Sequence, residues 1–137
     1  MRLTINIETI PHSQQRYPTA GDYWWENPER LEIRVSKFLS PDHEFLVALH
    51  EIVESLVLQQ RGIPDTAVTD FDAAYEEARN QGSITAPCGC AIQEEPGCDR
   101  HAPYYGEHRL ASDLEWEVVA HLHLAWDIYN KAVSDLD

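Results

Sequence analysis

The sequence has few basic residues for its length. Of its 137 residues, 10 are Lys or Arg and 24 are Asp or Glu, which gives a formal net charge of −14 at pH 7. Affinity for nucleic-acid phosphates and for anionic membranes comes from clustered Lys and Arg side chains. This deficit argues against duplex DNA, and against an anionic membrane surface, as a partner of the protein.

A long apolar run is also missing. No stretch approaches the roughly 18 to 20 consecutive apolar residues of a membrane-spanning helix. The first residues, MRLTINIE, alternate between apolar and polar, unlike the continuous apolar stretch of a signal peptide. We therefore expect a cytoplasmic protein. Three cysteines, an odd number, argue against a disulfide framework.

The remaining composition is that of one folded domain. Hydrophobic residues make up 43% of the chain, enough for a buried core, and the length is too short for two independent cores. Residues 1–37 carry equal numbers of acidic and basic side chains, so all of the net charge lies in residues 38–137. This charge indicates either a solvated helical surface or carboxylates that converge on a metal or a cationic ligand.

Periodicity and turn residues divide the single domain, 1–137, into four segments. Residues 1–39 contain two alternating, half-buried strands around Leu3–Ile7 and Leu31–Val35, with a third short strand or a covering aromatic loop between them. Residues 40–80 contain two helices, 40–61 and 65–80. A loop rich in glycine, proline and cysteine follows over 81–106, and a helical segment, continuous or with one break, completes the chain over 107–137.

The first predicted helix contains the most informative pattern. Residues 45–58 read FLVALHEIVESLVL, with ten apolar residues in fourteen, which is typical of a helix buried on most of its circumference. Buried carboxylates need a cation, hydrogen bonds or a metal, and this helix contains Glu51 and Glu54. His50 and Glu54 are four residues apart, so both project from one face and can share one ion.

The pattern His50-Glu51-x-x-Glu54 resembles the His-Glu-x-x-His helix of zincin metallopeptidases. The resemblance implies that His50 is a metal ligand, that Glu51 is the general base, and that Glu54 replaces the second histidine ligand. A carboxylate ligand lowers the Lewis acidity of the ion, so manganese and iron are alternatives to zinc. A purely structural alternative is a buried His50–Glu54 hydrogen bond with Glu51 at the surface.

A metal site needs a third protein ligand. His108, which begins the helical segment after the long loop, is our first candidate. Further candidates are His43, seven residues before His50, and Asp72 in the second helix. Glu107 could bind the ion or accept a hydrogen bond from a ligand.

The long loop contains a second set of metal-ligating residue types. Cys88, Cys90, Cys98 and His101 follow the pattern C-x-C-x7-C-x2-H, and three thiolates with one imidazole are a usual closed set for structural zinc. Such a site would explain how a polar loop of this length is ordered in a small domain. The alternative is three reduced cysteines in a mobile loop with His101 exposed.

Several short motifs outside the helix resemble those of a family of small phage and bacterial proteins. The resemblance covers about residues 1–110 and implies no particular activity. It implies that the N-terminal loop, the His-Glu helix and the corner at residues 107–108 belong to one site. The motifs are residues 10–19 with Gly21-Asp22, His50-Glu51-x-x-Glu54, Phe71-Asp72, Glu95-Pro96-Gly97, and Ala102-Pro103-Tyr104 followed by Glu107-His108.

These patterns predict an α+β fold, with a small N-terminal sheet packed against three or four helices, zincin-like in arrangement. The first functional hypothesis is a zinc-type hydrolase acting on a small molecule or peptide, in which Tyr104, Tyr105 or Arg16 stabilises a developing oxyanion.

Two alternatives to the hydrolase remain open. One is a non-catalytic module that binds a nucleotide-like or other small ligand, as a phage antagonist of host defence would. The other is an acidic protein-interaction module that presents carboxylates to a basic partner.

Overall fold

Strand β3 is the centre of a three-stranded sheet. In the computed structural model, which describes residues 2–136, the strands are β1 (Thr4–Ile10), β2 (Gly21–Asn27) and β3 (Arg30–Ser36). The order is β1-β3-β2, with β3 parallel to β1 and antiparallel to β2. Four helices accompany this sheet in the described part of the chain, which confirms the predicted α+β class.

The central strand β3 is more deeply buried than the edge strand β1. Leu31, Ile33 and Val35 of β3 are at most 1% exposed and form the sheet's contribution to the core. The same alternation in β1 predicts a buried face, and this prediction is wrong for Ile7, which is 44% exposed. The physical reason is position, because helices pack against β2 and β3 and leave edge strand β1 partly in solvent. The interval between the two predicted strands contains β2, so the third-strand alternative is the one realised.

Helices α1 (Pro41–Gln60) and α2 (Asp65–Asn80) lie close to their predicted bounds. Pro41 occupies the first turn of α1, where a missing N–H costs nothing. Gly62 ends α1 in the left-handed conformation, at a φ of 73°, a conformation that glycine adopts without steric cost. Ile63 then donates its N–H to the carbonyl of Leu58, which satisfies one of the free carbonyls of the last turn.

The C-terminal segment contains two helices, α3 (Tyr105–His121) and α4 (Trp126–Ser134), so the predicted helical segment has a break at 122–125. His123 has a φ of 58° in this break. Helix α3 packs along α1, and α1 packs on the sheet. No helix within residues 2–136 is long and apolar enough to span a bilayer.

The connection from α2 to α3 contains little regular structure. It has one isolated bridge between Thr85 and Ala91 and one short 3₁₀ turn at Pro96–Cys98. The turn packs against both α2 and α3, so the connection returns to the helices in its second half.

A buried ion pair joins the end of α1 to the start of α3. The Glu107 carboxylate is 4% exposed and accepts a hydrogen bond from the Arg61 guanidinium, whose side chain is half exposed. The second carboxylate oxygen of Glu107 is buried and has no partner among the described residues. Arg61 is therefore the group that neutralises this buried carboxylate.

Replacing Arg61 with Met should destabilise the fold by about 2 kcal/mol, because it leaves Glu107 buried without a cation. Urea unfolding at pH 7 measures the loss. The double variant Arg61→Met/Glu107→Gln should recover part of it, because the amide carries no charge to bury. A double variant as unstable as Arg61→Met alone would contradict this role of the ion pair.

Candidate metal centre

Helices α1 and α3 bring three of the predicted ligands together. His50 and Glu54 lie one turn apart on α1, and His108 lies in the first turn of α3 opposite them. The distances are 2.9 Å from His50 Nε2 to Glu54 Oε2, 3.1 Å from His50 Nε2 to His108 Nδ1, and 3.3 Å from His108 Nδ1 to Glu54 Oε2. The three inner atoms thus form a small triangle. Each of the three side chains is at most 12% exposed.

Two further carboxylates orient the imidazoles from outside the triangle. Glu115 of α3 accepts a hydrogen bond from His50 Nδ1, and Glu95 of the loop lies 3.2 Å from His108 Nε2. An imidazole that donates its outer N–H to a carboxylate presents a lone pair at its inner nitrogen when it is neutral. Both rings then direct lone pairs toward the Glu54 carboxylate. Metal-binding histidines usually donate the N–H of their other ring nitrogen to a carboxylate in this way.

The triangle has dimensions that could hold a small cation. Ligand atoms bound to tetrahedral zinc at about 2.0–2.1 Å lie about 3.3 Å apart. Two imidazole nitrogens and one carboxylate oxygen are also a ligand set that zinc accepts, with a fourth position left for water. The residues present therefore fit a zinc-type ion.

The pKa shifts of the cluster show the same demand for positive charge. Burial opposes protonation of His50, but hydrogen bonds with Glu115 and Glu54 outweigh burial and raise its pKa well above the usual value. Burial likewise opposes protonation of His108, and contacts with Cys98 and Glu54 raise its pKa to about 12. Burial raises the pKa of Glu54, but its hydrogen bonds with the two imidazoles produce a net lowering. In the absence of an ion, protonated imidazoles provide the positive charge beside the Glu54 carboxylate.

Glu51 lies beside the triangle in the wall of a cavity. It is 9% exposed, so the alternative that places Glu51 at the surface does not hold. Burial raises its pKa well above the usual value, and the negative charge of Glu54 adds to the effect. Strand β2 closes over it, since a Cβ added at Gly21 would lie 2.6 Å from Glu51 Oε1. A raised pKa makes a carboxylate a stronger base when it is ionised.

The cavity has a volume of about 340 Å³ and an acidic lining. The apolar part of its wall includes Val47, Val68 and Trp126. Eight carboxylates line it, and Arg79 is the one Lys or Arg among its lining residues in the described chain. The carboxylates are those of Asp22, Glu51, Glu54, Asp72, Glu76, Glu94, Glu95 and Glu115.

Asp72 and Tyr104, both predicted site residues, meet in this cavity. The Tyr104 hydroxyl donates to Asp72 Oδ1, and the Tyr17 hydroxyl donates to Asp72 Oδ2 at 3.3 Å. Burial raises the pKa of Asp72 to about 7, although the Tyr104 hydrogen bond opposes the shift. Asp72 is therefore in the wall of the cavity and outside the triangle of three inner atoms.

Three other predicted site residues lie elsewhere. The Arg16 guanidinium donates to both carboxylate oxygens of Asp22, at 2.6 and 2.9 Å, and does not line the cavity in the described chain. The His43 ring packs against aromatic rings of the core, 5.3 Å from the ring of Tyr129. The Tyr105 ring lies 5.8 Å from the Arg109 guanidinium. A side chain already engaged in this way is not available to the site.

Glu107 also needs a correction as an additional ligand. Its carboxylate is bound by Arg61 at the end of α1, and it belongs to no cluster of ligand atoms within residues 2–136. The helical turn explains the difference from its neighbour His108, because adjacent residues on a helix point about 100° apart. The first turn of α3 thus directs His108 into the triangle and Glu107 to Arg61.

The cysteine loop differs from its predicted ligand set at one position. Cys88, Cys90 and His101 do come together, but the fourth member of their cluster is Asp99. Cys98 instead lies with Glu95 and His108, where ligand atoms of the three residues are within 4.8 Å of one another. No disulfide joins the three cysteines, which all fall within the described residues.

Sequence reasoning missed Glu115, Glu95 and Gly97 as members of the site. A signal existed for Glu115, which lies seven residues after His108 and therefore on the same face of α3. For Glu95 and Gly97 the loop offers no periodicity. Gly97 packs directly on the His108 ring, since a Cβ there would lie 2.5 Å from His108 Cγ.

Gly97→Ala should destabilise the protein by about 1–3 kcal/mol, because the new methyl group overlaps the His108 ring. Gly106→Ala is the matched control, since a Cβ at that helical position meets no atom within 4 Å. The control should be neutral or slightly stabilising. Thermal unfolding of the two variants makes the comparison, and equal stability of both would show that the approach of Gly97 to His108 is not tight.

Asp72→Asn should stabilise the metal-free protein above neutral pH. The folded-state pKa of Asp72 is about 7, raised from 3.8. At a pH between these two pKa values, the folded protein binds a proton at Asp72 that the unfolded chain has lost. The contribution of Asp72 to stability therefore falls as pH rises from 4 to 7. The variant lacks this penalty and should gain up to about 4 kcal/mol at pH 8, with the gain vanishing below pH 4. Denaturant unfolding in chelator at both pH values tests the sign, and an equal difference at both would refute it.

Comparison of the chain with protein-family models, with curated proteins and with solved structures finds no match. The geometry of the site is therefore the basis for the function proposed below.

Proposed function

We propose that the protein is a metal-dependent hydrolase of zincin-like type, with a divalent ion held by His50, Glu54 and His108. The observation that supports this most directly is the convergence of three inner ligand atoms within 3.3 Å of one another. Glu115 and Glu95 support both imidazoles from outside. A merely structural His50–Glu54 hydrogen bond would need neither the third ring nor these two carboxylates.

The resemblance of α1 to the zincin helix agrees with this arrangement. In both, a histidine and the residue four positions later bind the ion, and the residue after the histidine acts as the base. The third ligand then comes from a later helix, here α3. Glu54 in place of a second histidine gives two imidazoles and one carboxylate, a set that iron and manganese also accept, so zinc is the first of three candidate ions.

The chemistry follows from the position of Glu51. A bound ion of this type lowers the pKa of a coordinated water and polarises a substrate carbonyl. Glu51, buried beside the ion ligands and with a raised pKa, accepts a proton from the attacking water and can return it to the leaving group. Gly21 leaves the space that this carboxylate occupies.

The lining of the cavity indicates which substrates it admits. Among the described residues, its wall contains eight carboxylates and one arginine, which disfavours an anionic ligand and favours a neutral or cationic small molecule or peptide. This balance places the hydrolase ahead of a nucleotide-binding module. Two arginines that could serve such a module lie in other contacts, since Arg16 binds Asp22 and the Arg109 guanidinium lies over the Tyr105 ring.

Glu51→Gln should retain the ion and lose turnover, because the amide cannot accept a proton but leaves the three ligands in place. Glu54→Gln and His108→Ala should instead lower zinc affinity by about 100-fold or more. Zinc affinity is measured by competition with a chromogenic chelator. Turnover is measured with zinc-loaded protein on a mixture of internally quenched peptides and neutral amides.

Glu117→Gln is the matched control, since Glu117 is exposed on α3 two residues from Glu115. It should change neither zinc affinity nor turnover. Loss of the ion in Glu51→Gln, or unchanged turnover in that variant, would remove Glu51 as the base. Wild-type protein that binds zinc, manganese and iron(II) no more tightly than His108→Ala would overturn the proposal as a whole.

A further inference from the structure

A second cluster of ligand atoms lies in the connection between α2 and α3. The Cys88 thiol donates to Asp99 Oδ2 at 2.9 Å, and Cys90 Sγ lies 3.2 Å from His101 Nδ1. His101 Nδ1 lies 3.4 Å from Asp99 Oδ1, which closes the cluster. Gly89, at a φ of 90°, makes the tight turn that directs both thiols to the same side.

Asp99 is the member of this cluster that needs explanation. Its side chain is fully buried, yet no lysine or arginine forms an ion pair with it in residues 2–136. Its partners there are a thiol, a histidine ring and the backbone N–H of His101. The His101 ring is the one partner among these that can become positive, so a bound cation would stabilise this buried carboxylate further.

Apart from the turn at Pro96–Cys98, which packs on α2 and α3, the loop around the cluster has little apolar packing to hold it in place. In residues 81–103 the buried positions are Ala86, Gly97, Asp99 and Ala102, so almost no apolar side chain contributes to burial. Ile84, a large apolar residue of the loop, is 85% exposed. Hydrogen bonds from Gln93 to Tyr75 and from Arg79 to Gln93 attach one point of the loop to α2. A long loop without apolar burial is ordered in small domains by a cross-link or a metal.

We propose that Cys88, Cys90, Asp99 and His101 bind a structural zinc ion that fixes the connection between α2 and α3. Two thiolates, one imidazole and one carboxylate complete a tetrahedral shell and leave no position for substrate. The thiols lose their protons on binding, so the divalent ion offsets two of the three negative charges that Asp99 and the two thiolates then carry.

Cys98 is not a ligand of the proposed zinc ion, but it lies in the segment that the ion would hold in place. Cys98 follows Gly97 and lies with Glu95 against His108. Zinc at the neighbouring Asp99 therefore anchors the short segment that forms the outer support of His108. The inference does not rest on the proposed function, because the two ions have different ligands.

Cobalt(II) substitution distinguishes the two ions, since only a site with thiolate ligands gives sulfur-to-cobalt charge-transfer absorption. Protein purified without added metal should contain zinc bound at this site, and exchange with cobalt should give the absorption of two thiolates. Cys88→Ser and Cys90→Ser should each lose about one equivalent of ion and most of this absorption.

Cys98→Ser is the matched control and should retain both the ion and the absorption. The variant His50→Ala/His108→Ala removes the other candidate site and should also retain them, so failure of one proposal is distinguishable from failure of the other. Where a serine variant does not fold, alkylation of wild-type thiols gives the same information, because zinc should protect Cys88 and Cys90. A Cys88–Cys90 disulfide, unprotected thiols, or loss of the absorption in Cys98→Ser would overturn the proposal.

Discussion

Buried negative charge without a matching arginine is the constraint on which the structure depends. Within residues 2–136, seven carboxylates are buried, and three of them, Asp22, Glu32 and Glu107, are bound by arginines. The other four form no ion pair with lysine or arginine in the part of the chain that is described. They are Glu51, Glu54, Glu115 and Asp99. Glu54 and Asp99 each belong to a cluster of candidate ligand atoms, and Glu51 and Glu115 lie beside the cluster that contains Glu54.

The elements around the first cluster follow from this constraint. Helix α1 is apolar on most of its surface, which removes His50 and Glu54 from water and makes their interaction with a cation strong. Helix α3 supplies both the opposite histidine, His108, and the hydrogen-bond partner of the His50 ring, Glu115. Two glycines let the backbone approach the site, Gly21 over Glu51 and Gly97 over His108. The cluster is thus held on helices and closed by a strand and a loop.

The sequence predicted the parts of this arrangement that are local. Helical periodicity and the i, i+4 spacing identified α1 with His50 and Glu54, and turn residues located both of its ends. The α+β class followed from the alternation in β3, whereas the same alternation in β1 did not reveal an edge strand. Glu95 could not be placed, because a loop has no periodicity that fixes where a side chain points. The choice between Cys98 and Asp99 depends on one step of a 3₁₀ turn, which spacing does not resolve.

The sequence separation within the first cluster has a consequence for folding. His50 and Glu54 come together as soon as α1 forms, but His108 is 58 residues and Glu115 is 65 residues away from His50. Loop closure over such distances carries an entropic cost that only packing of α3 against α1 repays. A nascent α1 therefore offers an ion just two ligands, and the complete set arises late, after the two helices have docked. If the cluster binds an ion as proposed, the choice among metals would take place in a nearly folded chain. The fixed distance between the helices, and not the affinity of a flexible peptide, would then decide which ion is retained.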